Sequence, residues 1–514
     1  MCANFSREAG SNPNQGQSDQ IQANPTTITL MKTTALNYAQ VPADALIRQF
    51  ANSAVVVSSD YRIATRLIEF RPKQGMKSRA RTRLQKPRQK NSPLGRWVAA
   101  ALAAFSSFNL AAATKPVMVH VMPWFVAEPY SSIWGWHWTM NFFDPDNLTT
   151  NSQRTIASWY YPEIGPYDSA DPAVLEYQVL LLKLAGADGV IVDWYGTDDY
   201  LDYGVNNQRT LALFHWTRRA GLKFSLCYED ATIKNEVNGG FITAANAVGH
   251  AQRTMLYAET NFFNDPSFLR LDGHPVLLNF GPQYFTSSDN WVSIFSVLAP
   301  SNAPAFFTED NKLGSGAGAF DWPPMGETQT NHGILSPAQL DLYLTQFEQK
   351  AAPWSAYVST AFPRFHDIYQ QAGIRPSYGL LDDNNGATFQ STLRRAMTNS
   401  SSVVQVATWN DYGEGTVIEP TTQYSQRDLG VLQDFRRLYF SPGYSGTTND
   451  FSTAIRLYHA RRAAAGNAAA NAALDRVFSD CVAGNLSDAN TKLDGLEPKS
   501  PVLYHLALTN SATQ

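Results

Sequence analysis

Two carboxylates stand three residues apart near the end of the chain, in the segment VQVATWNDYGEGTVIEP that spans residues 404–420. Asp411 and Glu414 closely follow an apolar run rich in valine, which is typical of a β-strand. Cleavage of a glycosidic bond needs two such groups, one to protonate the leaving oxygen and one to activate water or attack the sugar. An isolated pair at this spacing is more often part of a solvated turn, so the surrounding sequence has to decide.

The neighbours of the two acids suit a sugar ligand. Trp409 and Asn410 precede Asp411, and an indole ring offers a flat apolar face on which a sugar can stack. We therefore expect Trp409 and Asn410 to bind substrate. Glu414 is the expected general acid, with a pKa raised by burial or by the charge of Asp411, and Asp411 is the expected base.

The elements that must position these residues follow residue 116, where eight short apolar runs alternate with helix-like segments. One of those segments, residues 171–187, begins with Asp171 as a cap and Pro172 in the first turn. Buried strands that alternate with helices indicate a parallel sheet, and eight of them predict an α/β fold of the (β/α)8 TIM-barrel class. The expected strands are residues 117–125, 189–196, 223–230, 275–281, 303–310, 318–326, 354–367 and 403–414.

Most of these runs end in acids or aromatic residues, at the end of the strands where barrel enzymes have their active sites. We expect the ends of the strands to form a cavity lined by acids and aromatic rings. For Asp193 the alternative is a helix cap, and for Tyr167 and Asp168 it is an ordinary turn. Besides the 409–414 segment, the expected substrate-binding residues are Trp124, His137, Tyr167, Asp168, Asp193, Trp194 and Tyr195.

Long motifs carry a resemblance to two families of glycoside hydrolases. WNDYGE at 409–414 resembles the catalytic signature of family 71, the fungal α-1,3-glucanases, and EGTVIEP at 414–420 is similar to family 99, the endo-α-mannosidases. The segment IGPYDSADPAVLEYQVLLLKLAGADGVIVDWYG at 164–196 resembles bacterial family-99-like proteins, and the likeness covers about residues 117–425. It implies that Asp411 and Glu414 act either by inversion, as in family 71, or by retention through a 1,2-anhydro sugar, as in family 99, which has Glu at the position of Asp411.

The first 115 residues differ from the rest and are expected to be a disordered extension. Within them, residues 76–113 run from a basic stretch to an apolar and small-residue stretch, the layout of a secretory signal peptide. Met76 would place that segment at the start of the chain. The alternatives are a basic region that binds nucleic acid or a membrane surface, and an ordinary helix. We predict export, and hence a secreted or periplasmic protein that is not inserted in the membrane once the signal is removed.

Residues 426–514 are rich in alanine and arginine with helical periodicity, which predicts a small C-terminal helical extension that packs on the barrel 116–425. The formal charge of −4 and the pI of about 6.2 give no basic field, so no nucleic-acid partner is expected. The three cysteines Cys2, Cys227 and Cys481 lack metal-site spacing. We expect no cofactor and no metal, and free thiols at Cys227 and Cys481 rather than a disulfide.

The sequence thus predicts an exported, monomeric glycoside hydrolase that cleaves an α-linked oligo- or polysaccharide of the α-mannan or α-glucan type. The competing interpretation is a barrel that binds glycans without cleaving them. A metal hydrolase is disfavoured because no strand ends in HxH, and a dinucleotide enzyme because no GxGxxG follows the first strand.

Overall fold

A computed structural model describes residues 115–326 and 333–496. The signal-peptide-like segment 76–113 lies outside these residues. Eight strands occupy the eight apolar runs expected from the sequence. They are β1 Val117–Val121, β2 Gly189–Trp194, β3 Lys223–Tyr228, β4 His274–Asn279, β5 Ala305–Glu309, β6 Gly318–Phe320, β7 Val358–Ala361 and β8 Val403–Val406. Four two-residue strands lie outside this set, at Arg270–Leu271, Ile334–Leu335, Phe365–His366 and Leu380–Leu381.

The eight strands form one closed parallel barrel. Each pairs with its neighbours in chain order, and β8 returns to β1 with Val404 opposite Val117. The β6–β7 seam is the shortest, since Phe320 opposite Val358 is its only register pair. The predicted (β/α)8 TIM barrel is confirmed, including the glycine-rich sixth strand.

Strand alternation decides which side chains reach the barrel interior, because successive residues of a strand point to opposite faces. On β2, Asp193 faces the interior and lines a cavity there. Its neighbour Trp194 faces outward, where it contacts Phe262 and donates a hydrogen bond from Nε1 to Asn207 Oδ1 at 3.0 Å. A polar interior and an apolar exterior covered by helices follow from this pattern.

Helices surround the barrel, and their starts follow ordinary capping rules. Asp171 accepts a hydrogen bond from Ala173 N at 2.9 Å and Pro172 opens the helix, as predicted. The helices up to β8 are α1 Trp136–Thr139, α2 Pro172–Leu184, α3 Tyr203–Arg219, α4 Ala231–Asn238, α5 Ala247–Ala258, α6 Ser288–Phe295, α7 Pro337–Ala351 and α8 Ala387–Thr398. Single π-helical turns at Glu259–Phe263 and Arg436–Phe440 extend α5 and the helix that follows β8.

The predicted C-terminal helical extension is present. It consists of α9 Arg427–Phe435, α10 Phe451–Ala463, α11 Ala468–Ala483 and α12 Leu486–Leu496. Arg461 on α10 forms a two-pronged ion pair with the buried Glu176 of α2, at 2.9 Å from Nε and 2.8 Å from Nη2. Arg462 reaches Asp171 at 2.6 Å. The extension is thus attached to α2 and to the residue that caps it.

Two further findings concern the cysteines and the helices. Cys227 and Cys481 are both buried and both free, as predicted. Among the helices of residues 115–326 and 333–496, none combines the length and apolar character that a bilayer span requires.

Candidate active site

A cavity opens at the carboxyl ends of the strands, and acids and aromatic rings line it together. Five residues expected at the site from the sequence reach it: Trp124, His137, Asp193, Asp411 and Glu414. The complete lining is His120, Met122, Trp124, Trp136, His137, Met140, Asp193, Glu229, Phe280, Trp322, Tyr369, Asp411, Gly413 and Glu414.

Asp411 and Glu414 sit in a tight loop that follows β8. The loop is closed at its base, where Thr408 N donates to Thr416 O at 2.8 Å and Ile418 N donates to Thr408 O at 3.0 Å. Within it, Glu414 N donates to Asp411 Oδ1 at 3.0 Å. The short separation in sequence is therefore used to fold one acid over the backbone of the other.

Asn410 joins this loop to the end of β1 rather than lining the cavity. Its Oδ1 accepts from Met122 N at 2.8 Å, and its Nδ2 donates to Met122 O at 2.9 Å. The same Nδ2 also donates to the Tyr167 hydroxyl at 3.0 Å. Because this side chain satisfies the backbone at the end of the first strand, Asn410 fixes the loop that carries Asp411 and Glu414 against the barrel rim.

Glu419 is the centre of a second network beneath the loop. Its Oε2 accepts the hydroxyls of Tyr167 and Tyr412 at 2.8 and 2.9 Å, and its Oε1 accepts Gln178 Nε2 at 3.2 Å. Burial raises the pKa of Glu419 to about 7, against the opposing effect of these donors. Tyr167 thus positions the loop, and the cavity lining does not include it.

The two candidate catalytic acids are nearly sealed from solvent, at 5% and 3% exposure for Asp411 and Glu414. Burial and then the charge of Glu414 raise the pKa of Asp411 to about 7. Burial, together with the charge of Asp367, also raises the pKa of Glu414, whose Oε1 accepts the Tyr369 hydroxyl at 3.2 Å. Burial thus favours the protonated form of both acids relative to exposed carboxyl groups.

Burial raises the pKa of further acids in the barrel in the same way. Burial and then the charge of Glu229 raise the pKa of Asp193 well above its usual range, and Asp411 adds to this shift. Burial raises the pKa of Glu309 to about 7 and that of Asp321 to about 8. The interior therefore carries far less negative charge at neutral pH than its composition suggests.

One wall of the cavity is a stacked pair of rings. Trp124 and His137 lie 4.2 Å apart with an interplanar angle of 8°. His137 Nε2 lies 3.3 Å from Asp202 Oδ2, which fixes the plane of the imidazole. The pair offers a flat surface of the kind on which sugar rings stack.

Asp168 does not line the cavity but holds the segment that follows β1. Arg209 Nη2 donates to both oxygens of the carboxylate at 3.0 Å, and Arg209 Nε donates to Phe125 O at 3.1 Å. Ser131 Oγ adds a hydrogen bond at 2.6 Å. Asp168 therefore supports the backbone that carries Trp124.

Three other residues expected at the site also lie away from the cavity lining. Trp194 points outward by strand alternation. Tyr195 is 4% exposed and lies beside Trp124 with ring centroids 6.1 Å apart, so it supports the stacked wall from behind. Trp409 is fully buried, and its backbone N donates to His120 O at 2.7 Å.

The structure adds lining residues that the sequence did not single out as ligands. His120 and Glu229 lie on the inward face of their strands, a position that the alternation of β1 and β3 could have indicated. Trp136 immediately precedes His137 in the sequence WGWHW at 134–138, of which only His137 was expected at the site. Tyr369 comes from the loop after β7 and reaches Glu414 only through tertiary packing, so no local signal marks it.

Fold and geometry together define a (β/α)8 barrel with a buried carboxylate pair and aromatic walls at the carboxyl ends of its strands, where barrel enzymes have their active sites. In sequence, the chain is 20% identical over 286 residues to a glycoprotein endo-alpha-1,2-mannosidase-like protein of Danio rerio. The aligned region covers 52% of this chain and 61% of that protein. A mouse protein of the same name is 22% identical over 327 residues, covering 55% and 63%. The chain thus spans about three fifths of the length of these curated relatives.

No family model matches the chain. Among solved structures, the family 99 endo-alpha-mannosidase of Bacteroides thetaiotaomicron is similar at 17% identity and a TM-score of 0.47, covering 62% of this chain and 97% of that one. The structure of the same enzyme in complex with bis-tris-propane has 16% sequence identity and a TM-score of 0.48, and the match covers 63% of this chain and 97% of that one. The curated matches confirm the resemblance to the endo-α-mannosidases, whereas the resemblance to family 71 stays a prediction.

Proposed function

We propose that the protein is a glycoside hydrolase that cleaves an α-linked glycan with Asp411 and Glu414. The observation that carries this proposal is the buried carboxylate pair that lines a ring-walled cavity. Burial raises the pKa of both acids, which favours the protonated form that a general acid requires. The similarity to proteins named endo-alpha-1,2-mannosidase-like supports an α-mannoside as substrate, ahead of an α-glucan.

We assign different roles to the two acids. Asp411 accepts backbone N–H groups of residues 413 and 414, and such donors favour the ionised carboxylate that a base needs, although burial and the charge of Glu414 raise its pKa overall to about 7. In the resemblance of WNDYGE to family 71 the position of Asp411 is the base and that of Glu414 is the acid, so we propose that Glu414 protonates the leaving oxygen. The Tyr369 hydroxyl orients the Glu414 carboxyl and stabilises the carboxylate left after proton transfer.

The base can act in two ways, and the product distinguishes them. If Asp411 deprotonates water, the released sugar has the inverted anomeric configuration; if it deprotonates the 2-hydroxyl of the sugar, an anhydro intermediate gives retention. We would follow the first product by proton NMR before it mutarotates. Either result agrees with the proposed acid pair and identifies the route.

Two isosteric variants test the roles. Glu414→Gln removes the transferable proton and should slow hydrolysis of a natural α-mannan oligosaccharide by about 10²–10⁴-fold. The loss should be much smaller on a dinitrophenyl α-mannoside, because that leaving group needs no proton. Asp411→Asn should be slow on both substrates, since its role concerns the nucleophile.

Glu163→Gln is a matched control, because Glu163 is exposed beside the same loop, where its backbone N donates to Pro420 O at 2.9 Å. This variant should keep full activity. The assignment fails if Glu414→Gln cleaves the natural glycan at nearly the normal rate. A protein that binds α-mannan and α-glucan fragments by calorimetry but releases no reducing ends would instead be the non-catalytic glycan-binding barrel.

We also propose that the enzyme acts outside the cytoplasm, with a signal peptide that begins near Met76. The support is the order of basic, apolar and small residues in 76–113. N-terminal sequencing of protein from the native host should find a mature end near residues 111–113. A cytoplasmic chain that still begins at Met1 would contradict export.

A further inference from the structure

Three side chains with metal-ligating atoms face one another inside the barrel, and two of them, His120 and Asp193, line the cavity. His120, Asp193 and Cys227 come from adjacent strands, and their ligand atoms all lie within 4.8 Å of one another. Asp193 is directly opposite Cys227 in the register, and His120 is opposite Ile191 on the same face of β2. All three are at most 2% exposed. The proposed acid–base roles leave this group unexplained.

A chain of hydrogen bonds fixes the tautomer of His120. The Thr360 hydroxyl donates to Asp321 O at 2.5 Å, so its oxygen accepts Gln405 Nε2 at 3.0 Å. That contact turns Gln405 Oε1 towards His120 Nδ1, 3.3 Å away, and Nδ1 must then carry the proton. His120 Nε2 is left with a lone pair directed away from this chain of hydrogen bonds.

That lone pair is buried and has no hydrogen-bond partner among residues 115–326 and 333–496. Asp193 Oδ1 is likewise without a partner in the same part of the chain. Of the eleven buried side-chain polar atoms without a hydrogen-bond partner in these residues, these two lie in one group with a thiol, and a bound ion would satisfy both.

We propose that His120 Nε2, Asp193 and Cys227 Sγ bind a thiophilic divalent cation, of which zinc is the natural example. A nitrogen, a thiolate and a carboxylate are the donor set that zinc prefers, and three protein ligands leave the fourth position open to the cavity. The Gln405 contact to Nδ1 supplies the outer hydrogen bond that ligating histidines usually have. Binding releases the protons of the thiol and of Asp193 to solvent.

The spacing is compatible with a tetrahedral ion. Ligands at about 2.0–2.3 Å from zinc lie roughly 3.3–3.8 Å from one another in such a site, and the three ligand atoms here all lie within 4.8 Å of one another. The ion would lie beside Glu229, in the part of the cavity that His120 and Asp193 line. We therefore expect zinc to inhibit glycan cleavage, not to support it.

Cobalt(II) is a spectroscopic probe of the site that needs no substrate, so its result is independent of the proposed hydrolase activity. The test uses the full chain with Cys2→Ser, and cobalt chloride as the ligand. The expected result is a near-ultraviolet thiolate-to-cobalt charge-transfer band that added zinc abolishes. Cys227→Ser should remove the band. His120→Gln should weaken cobalt binding at least about 100-fold, beyond the 10–100-fold typical of an outer-shell partner.

Cys481→Ser is the matched control, because Cys481 is also a buried free thiol but lies on α11. It should keep the band. X-ray absorption of the zinc-loaded Cys2→Ser protein covers the case in which Cys227→Ser fails to fold, and it should show one sulfur neighbour. A missing cobalt band, a band that survives Cys227→Ser, or zinc surrounded only by nitrogen and oxygen would overturn the proposal.

Discussion

Replacement of Asp321 by asparagine should remove part of the pH dependence of folding. Asp321 is 1% exposed at the end of β6, and its Oδ1 accepts Thr360 N at 2.8 Å across the short β6–β7 seam. Burial raises its pKa from the ordinary 3.8 to about 8. The asparagine side chain would keep the acceptor oxygen for Thr360 but has no proton to release.

The sign of the effect follows from proton binding. Between the unfolded and folded pKa values the native state holds the proton and the unfolded chain has lost it, so wild-type stability falls as the pH rises. When the native state binds one proton more than the unfolded chain, the free energy of unfolding falls by about 1.4 kcal/mol for each pH unit of increase. Over two units inside this window, the free energy of unfolding of Asp321→Asn should gain about 3 kcal/mol relative to the wild type.

The measurement is urea unfolding of both proteins at about pH 5, 6 and 7, with the difference in unfolding free energy plotted against pH. Other buried acids, such as Glu309, contribute to the wild-type slope, but they cancel in the difference. Asp199→Asn is the control, because Asp199 is exposed, and its difference from the wild type should not change with pH. If the difference for Asp321→Asn is also independent of pH, the buried carboxyl is ionised and the reasoning is refuted.

Four other outcomes are expected. Tyr369→Phe removes a donor to the Glu414 carboxylate, so the basic limb of the pH–rate profile should move up by about one pH unit; an unmoved limb would exclude this contact. Arg209→Met leaves Asp168 buried without its partner and should cost about 3–5 kcal/mol in chemical unfolding, whereas a cost below about 1 kcal/mol would show that the pair is unimportant. Deletion of residues 1–114 should leave the circular dichroism and melting of the rest unchanged, and loss of folding would contradict it. Exhaustive chelation should not lower glycan hydrolysis, and recovery of lost activity by a divalent ion would disprove that expectation.

The barrel was predictable because strand and helix patterns are local. Residues 189–192 form an apolar run directly before Asp193, and Asp171 with Pro172 marks the start of a helix. The structure has a strand and a helix start at these positions. The sequence could also pair Asp411 with Glu414, because their spacing is short. These features depend on a few neighbouring residues and little on tertiary packing.

The direction of side chains was harder to predict. Asp193 and Trp194 are adjacent and looked equally suited to a sugar, yet the pleat of β2 sends one inward and the other against the helices. Asn410 and Tyr167 are polar and lie near the site, but they satisfy buried backbone and Glu419 instead. Such roles depend on partners far away in sequence, and no local pattern reveals them.

The attachment of α10 to α2 bears on how the protein unfolds. The predicted boundary at residue 425 separates two regions of different composition, but Glu176 on the barrel side has its charge matched by Arg461 on the other. A chain cut at 425 would remove the ion-pair partner of that carboxylate and expose the face of α2 that α10 covers. The barrel and its helical extension are therefore expected to melt as one cooperative unit, and a stable truncated enzyme should retain α10.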